Sequence, residues 1–187
     1  MKVLRVTVLG SSRPLPGDPA YEDAYRLGRL LGAQGFTVLT GGYLGTMEAV
    51  SRGTNEAGGH VIGVTCEEIE RWRPVRANAW VQEEWRKPNM KERVFSLIEN
   101  CDAAIVLPGG PGTLGELAVM WNLLIIAAIP RRPLILVGPA WHTVIETFCR
   151  SFGTYIQPVQ QQFLRFSETV EEAAAKVRPG KEGTRIK

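Results

Sequence analysis

The strongest signal in this 187-residue chain is the stretch Pro108-Gly109-Gly110-Pro111-Gly112-Thr113. It follows the apolar, β-branched run Ala103–Leu107 and leads into the apolar segment Gly112–Ala128. A strand that enters a helix through a glycine-rich turn is typical of β-α-β units. The first N–H groups of such a helix have no partner within it, and the helix dipole favours negative charge there. The stretch therefore predicts an anion-binding turn in a parallel sheet; the alternative is a tight turn whose glycines serve only the backbone conformation.

Short apolar runs alternate with longer amphipathic segments along most of the chain. The predicted strands are Val3–Leu9, Phe36–Thr40, His60–Thr65, Ala103–Leu107 and Pro133–Val137, and the predicted helices are Pro19–Gln34, Gly45–Ala57, Asn89–Asn100, Gly112–Ala128, Ala140–Phe152 and Ser167–Val177. Strands that are separated by helices pair in parallel, and strands that are apolar on both faces have helices on both sides. We therefore expect an α/β fold: a doubly wound, mostly parallel, Rossmann-like sheet with helices on both faces. It should form a single domain over residues 1–180, followed by a basic, disordered tail over residues 181–187.

Residues 66–88 interrupt this alternation, with Pro74 and Pro88 as breakers. We expect a helical turn and then a long excursion over the ligand-facing edge, because long irregular segments in compact domains are often functional. Its arginines are typical of a solvated loop, although they could serve one anionic ligand; they are Arg71, Arg73 and Arg76. We expect the tryptophans to be core or interface anchors rather than platforms for stacking bases; they are Trp72, Trp80, Trp85 and Trp121.

The composition excludes several classes of protein. The chain is 44% hydrophobic and 22% charged, a globular balance, and its net charge of +3 is too small to indicate a nucleic-acid surface. Cys66, Cys101 and Cys149 lie too far apart for a disulfide framework or a zinc site, so we expect no metal and no cofactor. A signal peptide and an apolar run of about 18 residues are both missing, which favours a cytoplasmic protein without membrane contacts.

Ligands of doubly wound sheets bind outside the carboxyl ends of the strands. Three predicted loops fall there: Gly10–Pro14, Gly41–Thr46 and Pro108–Thr113. The residues expected to contact a phosphate or nucleotide are Gly10, Ser11, Ser12, Gly41, Gly42, Pro108, Gly109, Gly110, Gly112 and Thr113, the last through its hydroxyl.

Two common nucleotide motifs do not fit the glycine-rich turn. Gly110, Gly112 and Gly115 match GxGxxG, but that fingerprint needs an acid about 20 residues further on. Here the first acid after the next predicted strand is Glu146, inside a predicted helix. NAD and FAD are therefore disfavoured. The glycines are not followed by GK[ST], which excludes a P-loop.

Two charged residues near this turn are candidates for chemistry. Glu116 lies in the first turn of the helix, where its carboxylate would repel a phosphate, so it should contact sugar hydroxyls or a developing positive charge. Alternatively, it compensates the helix dipole. Arg93 either enters the cleft or is an exposed arginine paired with Glu92 or Glu99. Sequence spacing does not choose between these alternatives.

Four segments together resemble a known family. PGGPGTLGE (108–116) is similar to the PGGxGTxxE signature of the Lonely Guy (LOG) family, whose members were long mislabelled as lysine decarboxylases. VTVLGSSRP (6–14) resembles the first strand and loop of that family, and NMKER (89–93) resembles its Met-x-x-Arg helix start. TGGYLGTMEAVSRGTNEAGGHVIGV (40–64) resembles its second glycine-rich turn, helix and third strand.

The resemblance implies a Rossmann-like homodimer, or a higher homo-oligomer, that binds nucleoside 5′-monophosphates such as AMP. It implies hydrolysis of the N-glycosidic bond, which gives free base and ribose 5-phosphate. Arg93 and Glu116 would be the catalytic pair, and Met90 would join the ligand-binding residues.

This chain departs from the family pattern at two positions. Val94 follows the arginine where the family commonly has lysine, and Gly115 precedes the glutamate where the family often has a second glutamate. A second hypothesis is therefore a non-catalytic carrier of a nucleotide or a phosphorylated cofactor, for example the molybdenum cofactor. A third is a protein-interaction module that uses the apolar helix Leu117–Ala128, although such a stripe is usually buried in a core or a dimer interface.

Overall fold

A computed structural model of the protein describes residues 4–178, which form seven strands and eight helices. The strands are β1 (Arg5–Leu9), β2 (Thr37–Thr40), β3 (His60–Cys66), β4 (Glu83–Lys87), β5 (Ala103–Val106), β6 (Leu134–Val137) and β7 (Leu164–Ser167). The helices are α1 (Pro19–Ala33), α2 (Thr46–Glu56), α3 (Glu67–Trp72), α4 (Met90–Glu99), α5 (Pro111–Ile125), α6 (Pro139–Ser151), α7 (Pro158–Gln161) and α8 (Val170–Ala175).

All seven strands join one parallel sheet in the order β4-β3-β2-β1-β5-β6-β7. The chain starts at β1, moves outward to β4, and then returns to the other side of β1 for β5. The loops that follow β1 and β5 therefore run to opposite sides and leave a crevice between them, which is where such sheets bind ligands. The predicted doubly wound α/β fold is confirmed.

Two apolar layers cover the sheet because alternate strand residues point to opposite faces. On one face α1, α2 and α8 pack on side chains such as Val38 and Ile105. On the other face α4, α5 and α6 pack on side chains such as Leu39 and Val106. With both faces of the sheet buried, polar ligand-binding groups can gather only at the ends of the strands.

Both strands that the sequence pattern missed lie at the edges of the sheet. β4 (EEWRK) pairs with β3 within the segment expected to be an irregular excursion, which corrects that expectation for its last part. β7 pairs with β6 and includes Ser167, which was expected to begin a helix; that helix, α8, begins at Val170. An edge strand is less deeply buried than a central one and can carry charged residues, so its apolar signal is weak.

Smaller differences concern the ends of elements. α5 ends at Ile125, three residues before the predicted end. The predicted tail over residues 181–187 lies outside the described residues, and the single domain over residues 1–180 stays a prediction. Within residues 4–178, no helix is both long enough and apolar enough to cross a membrane.

Candidate functional site

A cleft of about 850 Å³ lies at the carboxyl ends of the central strands. Its walls are the loops after β1, β2 and β5, the first turns of α4 and α5, and one face of α3. The residues that line it include Gly10, Ser11, Ser12, Arg13, Gly41, Tyr43, Met47, Ile69, Trp72, Arg73, Met90, Arg93, Leu97, Gly109, Gly110, Pro111, Gly112, Thr113 and Glu116.

The glycine-rich turn forms one end of the cleft. Gly110 caps α5 and Pro111 occupies its first position, so the N–H groups of Gly112 and Thr113 have no partner within the helix. Both residues line the cleft. A Cβ on Gly110 or Gly112 would meet no protein atom within 4 Å, which leaves room for a ligand against the backbone. The end of a 15-residue helix therefore presents backbone donors and positive dipole to the cleft.

Thr113 holds this turn against the loop after β1. Its hydroxyl donates to the carbonyl oxygen of Gly10 at 3.0 Å, so the expected free hydroxyl donor is already engaged. A Cβ on Gly109 would lie 2.2 Å from Thr113 Oγ1, so Gly109 must lack a side chain for this contact to form. The contact fixes the width of the cleft between its two central loops.

Arg93 and Glu116 form a buried ion pair at the floor of the cleft. The distance from Arg93 Nη1 to Glu116 Oε1 is 3.2 Å, and the two residues are only 5% and 9% exposed. Arg93 also donates to two backbone carbonyls, from Nε to Val64 (2.8 Å) and from Nη2 to Gly41 (3.3 Å). This geometry excludes the exposed arginine paired with Glu92 or Glu99. The guanidinium is held on three sides, and Glu116 keeps carboxylate capacity for a ligand.

Burial controls the electrostatics of Glu116. Removal from water raises the pKa of this carboxyl above its ordinary value, and the positive charge of Arg93 opposes that shift only in part. A carboxyl with a raised pKa at the floor of a cleft is a candidate functional group. Its charge would be felt strongly by a cation nearby, because little water screens it.

Two residues at the end of β2 support the ion pair. A Cβ on Gly41 would lie 2.1 Å from Arg93 Nη2, so the glycine leaves space for the guanidinium to reach the backbone. The ring of Tyr43 lies 5.8 Å from the guanidinium carbon. The Tyr43 hydroxyl accepts from the N–H of Cys66 (2.7 Å) and lies 3.3 Å from Glu70 Oε1, and so links β2 to α3.

α3 forms the other end of the cleft. The sequence pattern had predicted only a helical turn for this segment. Ile69 and Trp72 are three residues apart on one helical face, and Arg73 caps the helix. Trp72 is 81% exposed, which excludes the core half of the expectation that it is a core or interface anchor. Trp121, by contrast, is buried in the core. The clustered arginines at 71–76 were the one sequence signal that could have indicated this wall.

The structure brings most of the predicted site residues together. Those that line the cleft are Gly10, Ser11, Ser12, Gly41, Met90, Arg93, Gly109, Gly110, Gly112, Thr113 and Glu116. Two others lie outside its lining: the N–H of Gly42 bonds to Thr40 Oγ1, and Pro108 faces a neighbouring depression. Over residues 4–178, His, Cys, Asp and Glu side chains form no group of three that could hold a metal ion.

The parallel sheet, the crevice at its switch point and the glycine-rich helix start define a Rossmann-like protein with a cleft at the carboxyl ends of its strands. The model of the SLOG cluster4 family matches residues 3–147, and the chain belongs to that family.

Named relatives agree with the resemblance to the LOG family. Over 149 residues the chain is 32% identical to "Probable cytokinin riboside 5'-monophosphate phosphoribohydrolase LOGL3" of Oryza sativa subsp. japonica, covering 77% of this chain and 65% of the relative. Over 109 residues it is 38% identical to "Cytokinin riboside 5'-monophosphate phosphoribohydrolase LOG" of the same plant, covering 56% and 44%. The chain thus spans about half to two thirds of the length of these two relatives.

A solved structure shares the fold over nearly the whole chain. The molybdenum cofactor binding protein from the phototrophic bacterium Rippkaea orientalis superposes with a TM-score of 0.73 at 22% identity. The match covers 94% of this chain and 95% of that one. At this identity the likeness shows the fold alone.

Proposed function

We propose that this protein is a nucleoside 5′-monophosphate phosphoribohydrolase. The observation that carries the proposal is the buried Arg93–Glu116 pair, which lies in the same cleft as the glycine-rich start of α5. An anion site and a carboxylate in one cleft suit a substrate that has a phosphate at one end and a sugar next to it. The names of the plant relatives support the same activity.

The phosphate would bind at the start of α5, where Gly110 and Gly112 line the cleft and the first N–H groups of the helix lack intrahelical partners. The ribose would lie over the Arg93–Glu116 pair, because Glu116 is in the first turn of the same helix. Arg93 is already engaged by two carbonyls and by Glu116, so it acts as a positioning residue that holds the carboxylate in place. Glu116 would be the catalytic residue.

The reaction breaks the bond between C1′ of the ribose and a nitrogen of the base. As that bond breaks, positive charge develops on C1′ and the ring oxygen, and a carboxylate nearby stabilises it. Water then supplies a hydroxyl group to C1′ and a proton to the departing base, so the products are ribose 5-phosphate and free base. Exclusion of water from the floor of the cleft strengthens the attraction between Glu116 and the cationic sugar.

A second candidate is a carrier that binds a phosphorylated ligand without turnover. The favouring observation is the full-length superposition on a molybdenum cofactor binding protein, whereas the plant relatives match in part. The phosphate end of the cleft would serve either role. The two candidates differ in what Glu116 does, since a carrier needs no charge on that carboxyl.

The deciding experiment incubates the protein with AMP, GMP, IMP, CMP and UMP and follows free base and ribose 5-phosphate by chromatography. A phosphoribohydrolase releases both in equal amounts from at least one nucleotide. Saturable binding of a nucleotide without base release from any of them would refute hydrolysis and favour the carrier.

We also propose that the protein works as a homodimer. An apolar groove of about 460 Å³ lies between α5 and α6, lined by side chains such as Trp121 and Ile145. Its rim carries the exposed side chains of Leu114, Val144 and Phe148. Exposed apolar patches of this kind mark interfaces, and a second copy offers the same surface in return. Analytical ultracentrifugation should give a dimer mass for the wild-type protein and a monomer mass for Phe148→Glu.

A further inference from the structure

Building on the proposed function, we propose that α3 is the base-recognition wall of the cleft: Trp72 stacks on the planar ring of the ligand, and Arg73 donates hydrogen bonds to acceptor atoms on the ring edge. This assigns a role to a segment that holds no residue of the phosphate or sugar site. It also predicts selectivity for 6-oxopurine nucleotides such as GMP over AMP.

The order of the strands places α3 at the correct end of the cleft. The phosphate turn follows β5, and α3 follows β3, which lies beyond β1 and β2. Three steps of about 4.8 Å between neighbouring strands separate β5 from β3 by about 14 Å. The Arg93–Glu116 pair lies between them, because Arg93 binds carbonyls of both β3 and the loop after β2. Phosphate, ribose and base would thus lie in this order along the edge of the sheet, from α5 to α3.

Trp72 has the exposure expected of an unfilled stacking surface. It is 81% exposed although it lines the cleft, and an indole exposed to this extent forgoes the stabilisation that burial would give. Ile69, three residues earlier on the same helical face, also lines the cleft and supplies apolar surface beside it. A planar heterocycle would cover both side chains at once.

α3 is anchored firmly enough to present this surface. Glu70 pairs with Arg86 Nη2 on β4 at 2.7 Å and approaches the hydroxyl of Tyr43. Glu68 accepts from the N–H of Met90 at 2.8 Å and ties the helix to α4. These two carboxylates secure the helix while Ile69 and Trp72 line the cleft, so Glu68 and Glu70 are explained by attachment rather than by ligand binding.

Arg73 has unused donor capacity. It lines the cleft, and its guanidinium carbon lies 5.9 Å from the ring centre of Trp72. Its Nε is buried and has no hydrogen-bond partner among the described residues, so the donors that a ligand could reach are its Nη groups. A guanidinium binds two adjacent acceptors at once, such as O6 and N7 of guanine, whereas adenine presents one acceptor and one donor on that edge. The pterin of a molybdenum cofactor also presents an oxo group, so the same wall would suit the alternative ligand.

Trp72→Ala tests the stacking surface. Calorimetric binding uses ribose 5-phosphate and the carbocyclic analogues of GMP and AMP, which contain no bond that the protein could hydrolyse. We expect Trp72→Ala to weaken both analogues by about five- to a hundredfold, the usual range for loss of an aromatic that stacks on a base. Affinity for ribose 5-phosphate should stay within about twofold. Trp80→Ala is the matched control, since Trp80 contacts Arg52 and does not line the cleft; it should change neither affinity.

Arg73→Ala tests the ring edge. The wild-type protein should bind the GMP analogue at least about fivefold more tightly than the AMP analogue, and Arg73→Ala should remove that preference. Arg71→Ala, on the same helix but outside the cleft lining, should keep it. An equal loss for both analogues and for ribose 5-phosphate would assign Arg73 to the phosphate and overturn its assignment to the base.

The outcomes separate this proposal from the proposed function. If the protein releases base but Trp72→Ala binds the analogues as the wild type does, the assignment of α3 as the base-recognition wall is wrong and the proposed hydrolase activity is supported. If no nucleotide is hydrolysed but Trp72→Ala loses affinity for the analogues and not for ribose 5-phosphate, the base-recognition wall is supported and the protein is a carrier. If the wild-type protein binds ribose 5-phosphate as tightly as both analogues, the base contributes nothing to affinity and the base-recognition wall is wrong.

Discussion

The two ends of the cleft differ in the groups that they present to a ligand. At the α5 end, the backbone is the part that can contact a ligand: the helix start offers N–H donors beside its glycines, and the helix dipole adds positive charge. At the α3 end, side chains form the wall, with Ile69, Trp72 and Arg73 in a row. Backbone recognition suits a phosphate, which looks the same in every nucleotide. Side-chain recognition suits the part of the ligand that varies.

Between the two ends lies the Arg93–Glu116 pair, which belongs to neither mode. The pair is buried, and Arg93 is held by backbone carbonyls of β3 and of the loop after β2. Under the proposed function the cleft has two binding ends and a reactive centre. Each part should then respond to mutation in a different measurement: the rate at the centre, phosphate affinity at the α5 end, and base selectivity at the α3 end.

Glu116→Gln should have the largest effect. It keeps the shape of the side chain and an acceptor for Arg93 but removes the negative charge that stabilises the cationic sugar. We expect the rate of base release at saturating substrate to fall by about 10²–10³-fold, the scale for loss of one preorganised electrostatic contact. Affinity for the carbocyclic analogues should change much less.

Glu99→Gln, at the exposed end of α4, is the control for Glu116→Gln and should keep the wild-type rate. Circular dichroism would show that both variants are folded. A Glu116→Gln protein with undiminished base release would remove Glu116 from the reaction.

The pH dependence sharpens the assignment of the reactive centre. Burial raises the pKa of Glu116 above that of the unfolded chain, which is about 4.3. The carboxylate needed for the reaction therefore appears only as the pH rises through the folded pKa, and below that value the rate should fall about tenfold per pH unit. A rate profile that stays flat down to pH 4.3 would contradict a raised pKa for Glu116.

Stability should follow the opposite trend. The folded protein keeps the proton on Glu116 up to a higher pH than the unfolded chain does. Protonation of Glu116 therefore stabilises the fold; this contribution to the free energy of unfolding is complete below the unfolded pKa and is lost as the pH rises through the folded pKa. Urea unfolding at several pH values should show that Glu116→Gln gains stability relative to the wild type over this interval.

Gly110→Ala tests the phosphate end. Its φ of −92° suits alanine, and the added methyl group meets no protein atom within 4 Å, so the fold should be unaffected. The methyl group would occupy space next to the N–H groups of the turn and weaken ribose 5-phosphate binding by about tenfold or more, the worth of one lost hydrogen bond to a charged group.

Gly115→Ala is the matched control because it adds the same methyl group to α5 outside the cleft lining. It should leave phosphate affinity unchanged and raise stability by up to about 1 kcal/mol, since alanine favours helices. Equal affinities of the two variants for ribose 5-phosphate would move the phosphate site away from this turn.

Tyr43→Phe should have the smallest effect and tests the support of α3. It removes the hydroxyl that accepts from the N–H of Cys66 and lies beside Glu70. We expect a loss of about 1 kcal/mol in the free energy of unfolding, the typical net value of a hydrogen bond. Binding of the GMP analogue should weaken slightly while ribose 5-phosphate binds as before. Tyr25→Phe, whose hydroxyl meets the exposed Glu56, should spare both affinities.

The central strands could be predicted and the edge strands could not. β1, β2, β3, β5 and β6 are buried on both faces and read as short apolar runs. β4 carries four charged residues in five and is held by its pairing with β3, which no local pattern reveals. The same reason explains why residues 66–88 were expected to be irregular.

Local sequence patterns were enough to predict the fold class and to locate the glycine-rich turn, because the physical consequences of apolar periodicity and of a glycine-rich helix start do not depend on distant residues. The sequence also supplied Arg93 and Glu116 as candidates, but not their contact. That contact joins residues 23 positions apart through the crossing of α4 and α5 over the sheet, and its burial raises the pKa of Glu116. The three-dimensional structure was needed to show that α3 forms one end of the cleft and exposes Trp72, because this arrangement depends on β4 pairing at the edge of the sheet and on carboxylates that reach other elements.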